Sequence, residues 1–148
     1  MGVRIQQSAF DPGAELNAFS ELTEGAGAIV TFTGIVRSGT DDPVSSLTLE
    51  CYPELALNQL GLIVAEAHLR FGLVDETVIH RYGTLRPGEP IVQVMTLARH
   101  RATAFAAAEF LMDYLKTDAP FWKKEETAQG ARWVDPSEAD DKARARWE

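Results

Sequence analysis

Two amphipathic segments, each preceded by a pair of strand-like segments, constrain what this chain can fold into more than any other feature. Over Glu54–Arg70 the apolar positions Leu60, Ile63, Val64 and Ala67 recur at helical spacing. Over Thr103–Leu115 the residues Phe105, Ala108, Leu111, Met112 and Leu115 form a second stripe. Ahead of the first, β-branched residues crowd Ala28–Arg37 (AIVTFTGIVR), and Val44–Tyr52 puts Leu47, Leu49 and Cys51 on one face. Ser38 to Pro43 is a polar loop between them. Ahead of the second, Glu76–Tyr82 and Ile91–Ala98 read as strands joined through Arg86-Pro87-Gly88-Glu89-Pro90. Phe121–Glu126 predicts a further strand, which Thr127–Gly130 turns back into Ala131–Val134. Asp11 as N-cap and Pro12 as first helical residue predict an early helix to about Leu22, burying Leu16, Phe19 and Leu22 and broken by Gly25 and Gly27. Asp135-Pro136 starts a final short helix supported by the i,i+4 pairs Glu138–Lys142 and Asp140–Arg144.

The resulting order is α-β-β-α-β-β-α-β-β-α. Strands adjacent in sequence can pair as hairpins, so the expected fold class is α+β, a mostly antiparallel sheet with packed helices. The 148 residues, with 45% hydrophobic, read as one domain spanning 1–148 with an adequate core. No Gly-x-Gly-x-x-Gly follows a strand and there is no Walker loop, which argues against nucleotide-binding folds. Gly34 inside a strand signals a bulge or a close approach of the backbone.

Cys51 is the single cysteine, so an intrachain disulfide is impossible and a cysteine-based zinc site is not expected. Met1 to Phe10 has no signal-peptide pattern, and no stretch approaches the roughly 18 apolar residues of a membrane span. A cytoplasmic protein with no membrane partner is the expectation.

The net charge of −8 argues against nucleic acid as the main partner. The cations are nevertheless clustered. Between Arg81 and Arg101 the only acid is Glu89, while Arg81, Arg86, Arg99 and Arg101 share that stretch; Lys116, Lys123, Lys124 and Arg132 follow. Positive charge held locally on an acidic chain points to a site for a small anion.

Taken alone, Arg37 is a solvated strand-end residue and Lys116 an ordinary cation at a helix C-terminus. Arg99-His100-Arg101 is different. These cations precede a helix, the end whose free N–H groups and dipole already favour anions, so they work against helix stability. Lys123 alternates with Phe121 on one face of a strand, opposite Trp122 and Lys124. Half-buried beside other cations, its amine would lose its proton more easily and could donate protons or act as a nucleophile. His80 reads as structural, His68 has no metal-spaced partner, and Cys51 reads as a small apolar core group. The residues thus point to an anion-handling site built from Arg37, His100, Arg101, Lys116 and Lys123, with the anion unidentified.

These same residues carry a resemblance. Val30-Thr31-Phe32-Thr33-Gly34 with Val36-Arg37, Leu47-Thr48-Leu49-Glu50 with Tyr52-Pro53, and Val78-Ile79-His80-Arg81 with Gly83 form its first part. Pro87-Gly88-Glu89, His100-Arg101, Phe105, Met112-Asp113-Tyr114-Leu115-Lys116, Ala119-Pro120-Phe121-Trp122-Lys123 and Arg132-Trp133-Val134 complete it. From about Gly27 to Val134 the chain resembles the catalytic, large subunit of molybdopterin synthase. The resemblance implies a hammerhead-like α+β fold and a sulfurtransferase without metal or other cofactor. Its substrate would be cyclic pyranopterin monophosphate (precursor Z). Two sulfurs would come from the C-terminal Gly-Gly thiocarboxylate of a small ubiquitin-like carrier, giving molybdopterin. It further implies a homodimer that forms a heterotetramer with two carriers. By the same likeness Lys116 and Lys123 would be catalytic. Ile35, Val36, Arg37, His100, Arg101, Lys124 and Glu125 would bind substrate.

Two departures bear on this. Ile35 stands where the family often has a basic residue, so that contact would be made by backbone alone, and Lys124 stands where Arg is common. The chain closes on Arg146-Trp147-Glu148, so the carrier is expected to be a separate protein. Two competing functions follow from the same cations: a non-catalytic module gripping the tail of a ubiquitin-like protein, and a phosphate-ester hydrolase or acyltransferase. The latter would need a metal cluster or an activated Ser or Cys, and the sequence offers neither.

Overall fold

A computed structural model describes residues 2–21, 23–37, 39 and 43–148. The elements are β1 (Gly2–Gln6), α1 (Pro12–Phe19), β2 (Ala28–Ile35), β3 (Val44–Glu50), α2 (Pro53–Phe71), β4 (Asp75–Arg81), β5 (Gly83–Leu85), β6 (Pro90–Ala98), α3 (Arg101–Thr117), β7 (Trp122–Thr127), β8 (Gly130–Val134) and α4 (Glu138–Ala145). The strands form two sheets, ordered β1-β4-β6-β2 and β5-β3-β7-β8. Every pairing is antiparallel except β1 with β4. This is the α+β class expected.

The first sheet carries the main core. Val78, Val92, Val94 and Ala98 pack against Leu60, Ile63, Val64 and Ala67 of α2 and Ala104, Ala107, Ala108, Phe110, Leu111 and Leu115 of α3. Burial of that many aliphatic side chains, at about 25 cal/mol per Å² of apolar surface, is the chief stabilising term. Alanines let α3 approach closely, and Thr96 Oγ1 donates to the Ala104 carbonyl 2.8 Å away. On the opposite face Gln93 Nε2 donates to the Pro12 carbonyl of α1 at 3.0 Å. The second sheet encloses a much smaller cluster, Val36, Leu47, Leu49 and Leu85. Phe121 packs against both clusters and so joins the two halves.

The C-terminal segment straps α4 to α3. Arg144 Nε meets Asp118 at 2.8 Å, Arg146 meets Asp113 at 2.8 Å, and Trp147 Nε1 donates to Asp113 at 2.6 Å. The Trp147 ring sits edge-on to Phe71 and Phe110. Among the described residues, no helix is long and apolar enough to cross a membrane, and no cluster of three His, Cys, Asp or Glu side chains could hold a metal.

Several expectations need correction. β1 and β5 went unseen: β1 is a five-residue edge strand, and β5 has three residues, too short for any periodicity. Asp11 does cap α1, accepting from Gly13 and Ala14, but α1 ends at Phe19 with Leu16 and Phe19 only half-buried. Leu22 and most of the expected Ser38–Pro43 loop lie outside the described residues. In α3 Phe105 is 62% exposed; Ala104, Ala107 and Phe110 take the buried face instead. Cys51 lies just past the end of β3, half-buried rather than in the core. The last helix starts later than Asp135-Pro136, with Ser137 as N-cap in a reciprocal capping box with Asp140. Glu138 and Lys142 do pair, but Arg144 turns to Asp118 rather than Asp140.

Candidate active site

α3 starts immediately after β6 and runs back along the sheet, so its last turn arrives at the Gly34–Ile35 end of β2. The chain then turns through Asp118–Pro120 into β7, which belongs to the other sheet. Lys116 and Lys123 thereby come from two structural units yet line one open cleft of about 1100 Å³. Its walls also include Phe32, Ile35, Arg37, Trp122, Trp133 and Asp140. Gly34 permits this arrangement. A Cβ there would stand 2.8 Å from Val92 Cγ1 and 3.4 Å from the Phe32 ring, and the β2–β6 register slips between Gly34 and Ile35. Both features expected of this glycine, a bulge and a close approach, are present.

The two lysines differ in environment. Lys116 is exposed at the end of α3. Lys123 is half-buried, paired across the ladder with Leu49. Burial, reinforced by the Lys116 charge, lowers its pKa to about 8, against the opposing pull of Asp140 and Glu125. Beneath them lies His80, 4% exposed and stacked on Phe121 at 3.9 Å between ring centroids. Its Nδ1 is 2.8 Å from the Arg81 carbonyl oxygen. Burial and the nearby Lys123 and Lys116 charges lower its pKa to about 4.

The remaining candidates fall into three places. Ile35 is 56% exposed on the cleft wall, and Arg37 is exposed beside it. Val36 between them points into the small core, and its N–H and carbonyl are bonded to Glu89 and Gly88 at 3.0 and 2.8 Å. Glu125 lies two residues from Lys123 on the same face of β7 and meets Arg132 Nε at 3.2 Å. Lys124 faces the other way, its Nζ 5.9 Å from the Trp133 ring centroid. His100 and Arg101 are exposed at the start of α3. Fifteen residues of helix put Arg101 about 22 Å from Lys116 along the axis. One chain therefore unites Ile35, Arg37, Lys116 and Lys123, and leaves His100 and Arg101 at the far end.

Sequence reasoning passed over Asp140, Phe32, Trp122 and Trp133 as parts of this cleft, and took His80 as structural only. Asp140 had no visible signal, because its placement depends on the C-terminal strap. Phe32 had one, its position two residues before the glycine of a predicted strand.

Comparison with known proteins places this geometry. The profile of the family described as MoaE protein matches residues 5–118. The chain is 52% identical to a molybdopterin synthase catalytic subunit of Cereibacter sphaeroides, over 99% of this chain and all of that one. It is 51% identical to the protein of the same description from Pseudomonas aeruginosa, over 100% of this chain and 99% of that one. Among solved structures, a molybdopterin biosynthesis MoaE protein from Burkholderia ambifaria superposes with a TM-score of 0.82 at 47% identity, over 99% of this chain and 97% of that one.

Proposed function

This chain belongs to the MoaE protein family, and on that premise we propose how its cleft works. It is a sulfurtransferase of molybdenum-cofactor biosynthesis, the catalytic subunit of a molybdopterin synthase. It acts in the cytoplasm with a small ubiquitin-like carrier whose C-terminal Gly-Gly thiocarboxylate enters the cleft. The acceptor is the cyclic pyranopterin monophosphate, and each transfer breaks the carrier's C–S bond, leaving a carboxylate whose new oxygen comes from water.

Thiocarboxylate and phosphate are both anions, and bringing them together requires fixed positive charge. Lys116, exposed on the cleft wall, meets the thiocarboxylate and stabilises charge on the departing acyl group. Lys123, whose ammonium gives up its proton near pH 8, handles proton transfer at the reacting carbon. Arg37 holds the pterin ester from the same wall, with Ile35 contributing backbone only. Val36 fixes the spacing between them, and Lys124 and Glu125 tune the β7 segment from the two faces of the strand. His100 and Arg101 serve the phosphate in the cleft of a second copy, because the length of α3 keeps them from their own. The active unit is accordingly a homodimer, with one carrier at each end in a heterotetramer.

The observation that carries this reading is that Lys116, from a helix packed on the first sheet, and Lys123, from a strand of the second, line a single cleft. Mixing the protein with thiocarboxylated carrier and precursor Z tests it: dithiolene should form. With Lys116→Ala, carrier binding should persist while transfer stops. Loss of binding in step with transfer would mean that the cleft only grips the carrier tail.

A further inference from the structure

Sulfur transfer gives no task to His80, yet the ring is firmly held against a recess that shares Lys116 and Lys123 with the cleft. β4 is an inner strand, flanked by β1 and β6. The imidazole is clamped by Phe121, with ring planes 13° apart. Nδ1 faces a carbonyl oxygen, which can only accept, so Nδ1 carries the hydrogen and a neutral ring leaves Nε2 as a bare lone pair. Protonating Nε2 would put a third cation beside Lys116 and Lys123, in a buried place, and the ring stays neutral for that reason. Among the described residues Nε2 has no hydrogen-bond partner. The ring lines a recess of about 60 Å³ together with Phe32, Met112, Lys116 and Lys123.

A structural histidine would bond both nitrogens or present an apolar edge to apolar neighbours. Here a neutral acceptor opens onto the recess that the two ammonium groups share. Lys123 is the better donor. It is half-buried, and it follows by two residues, on the same face of the chain, the Phe121 ring on which His80 stacks. Lys116, which also lines the recess, is exposed. The groups that face Lys123 are Lys116 from α3, Asp140 from α4 and Glu125 from its own strand. The two carboxylates draw the ammonium by charge alone, whereas a neutral nitrogen fixes its direction without neutralising it.

We propose that His80 is a positioning residue for Lys123: its unpartnered Nε2 accepts a hydrogen bond when the Lys123 ammonium turns into the recess they share, and holds that proton beside the cleft until sulfur transfer uses it. The inference rests on the reading of Lys123 as a participant in transfer. Its test separates the two nitrogens. In His80→Asn the side-chain amide can replace Nδ1 toward the Arg81 carbonyl but has nothing at the Nε2 position. In His80→Gln an oxygen can stand near Nε2.

Each protein is titrated through the NMR shifts of the Lys123 side chain, and its sulfur-transfer kcat and carrier KM are measured. His80→Asn should lower the Lys123 pKa by about one pH unit, the scale of one lost charge-assisted hydrogen bond. It should also lower kcat about tenfold with KM unchanged. His80→Gln should restore most of both. Equal behaviour of the two variants would overturn the proposal. The wild-type protein gives a check that needs no variant to fold: the nitrogen shifts of His80 should show hydrogen on Nδ1 and none on Nε2 from about pH 5 to pH 9, and the opposite tautomer would also overturn it. A protein that transfers no sulfur but keeps the His80–Lys123 coupling defeats the functional reading and supports the pair. One that transfers sulfur without the coupling defeats the pair alone.

Discussion

The two ends of α3 carry similar charges in different settings. At its C-terminal end Lys116 faces a cleft shared with Arg37 and Lys123. At its N-terminal end His100 and Arg101 stand exposed, and the helix has neither a side-chain cap nor an acidic residue in its first turn. A cation at the C-terminal end suits the helix dipole, while cations at the other end oppose it. On the proposed reading both ends serve an anionic ligand, but only the cation at the C-terminal end also suits the helix that carries it. A helix of this length keeps the N-terminal group from the cleft of its own chain, so its proposed role calls for another copy.

The largest expected effect lies at the C-terminal end. Lys116→Ala should reduce sulfur transfer about a thousandfold, the scale of removing one fixed charge from a developing anion, with carrier affinity changed less than about threefold. A calorimetric titration beside a turnover assay checks both. The N-terminal end should matter less but measurably. Arg101→Ala should lower kcat/KM for the pterin substrate by about 10- to 100-fold, as for loss of a charged hydrogen bond, and the deficit should shrink with a substrate lacking phosphate. An unchanged kcat/KM would remove that end of α3 from the account.

Lys123 sharpens the contrast through stability. Its pKa is about 8 in the folded chain, against 10.5 for an unperturbed lysine such as the unfolded chain presents. Between those values the unfolded chain binds the extra proton, so this group's contribution to stability rises with pH across that window and its penalty is complete below about pH 8. Lys123→Met should therefore raise the melting temperature at pH 7 by about 3 °C, and the gain should fade toward pH 10.5 while activity is lost. A thermal melt series over pH measures this. The smallest effect belongs to Lys124→Ala, less than about twofold in turnover, because that side chain lies over Trp133 on the other face of β7.

Elements with long-range periodicity were legible in the sequence. The four core positions expected of α2 are all buried, and the β7–β8 hairpin turns where expected. Phe105 misled because apolar size outweighed the small alanines that let α3 lie close to the sheet. β1 escaped because a parallel edge strand is defined by its partner β4 rather than by its own five residues. The site was legible as chemistry and not as geometry. Cation clustering and the alternation of Phe121 with Lys123 pointed to the lysines. The 22 Å or so between Arg101 and Lys116 follows from helix length alone, yet cations on both flanks of one segment read as a single cluster. Asp140 depended on ion pairs that tie its own tail to distant partners, Arg144–Asp118 and Arg146–Asp113, and no local pattern reveals them.

Subunit mixing tests the shared site most directly. Lys116→Ala and Arg101→Ala proteins, each with little activity of its own, are unfolded together, refolded in equal amounts and assayed for dithiolene formation. If each cleft takes Lys116 from one chain and Arg101 from its partner, half the dimers are mixed and each holds one intact cleft, so activity should return to about a quarter of the wild-type value. Activity that stays at the level of the separate variants would contradict the account.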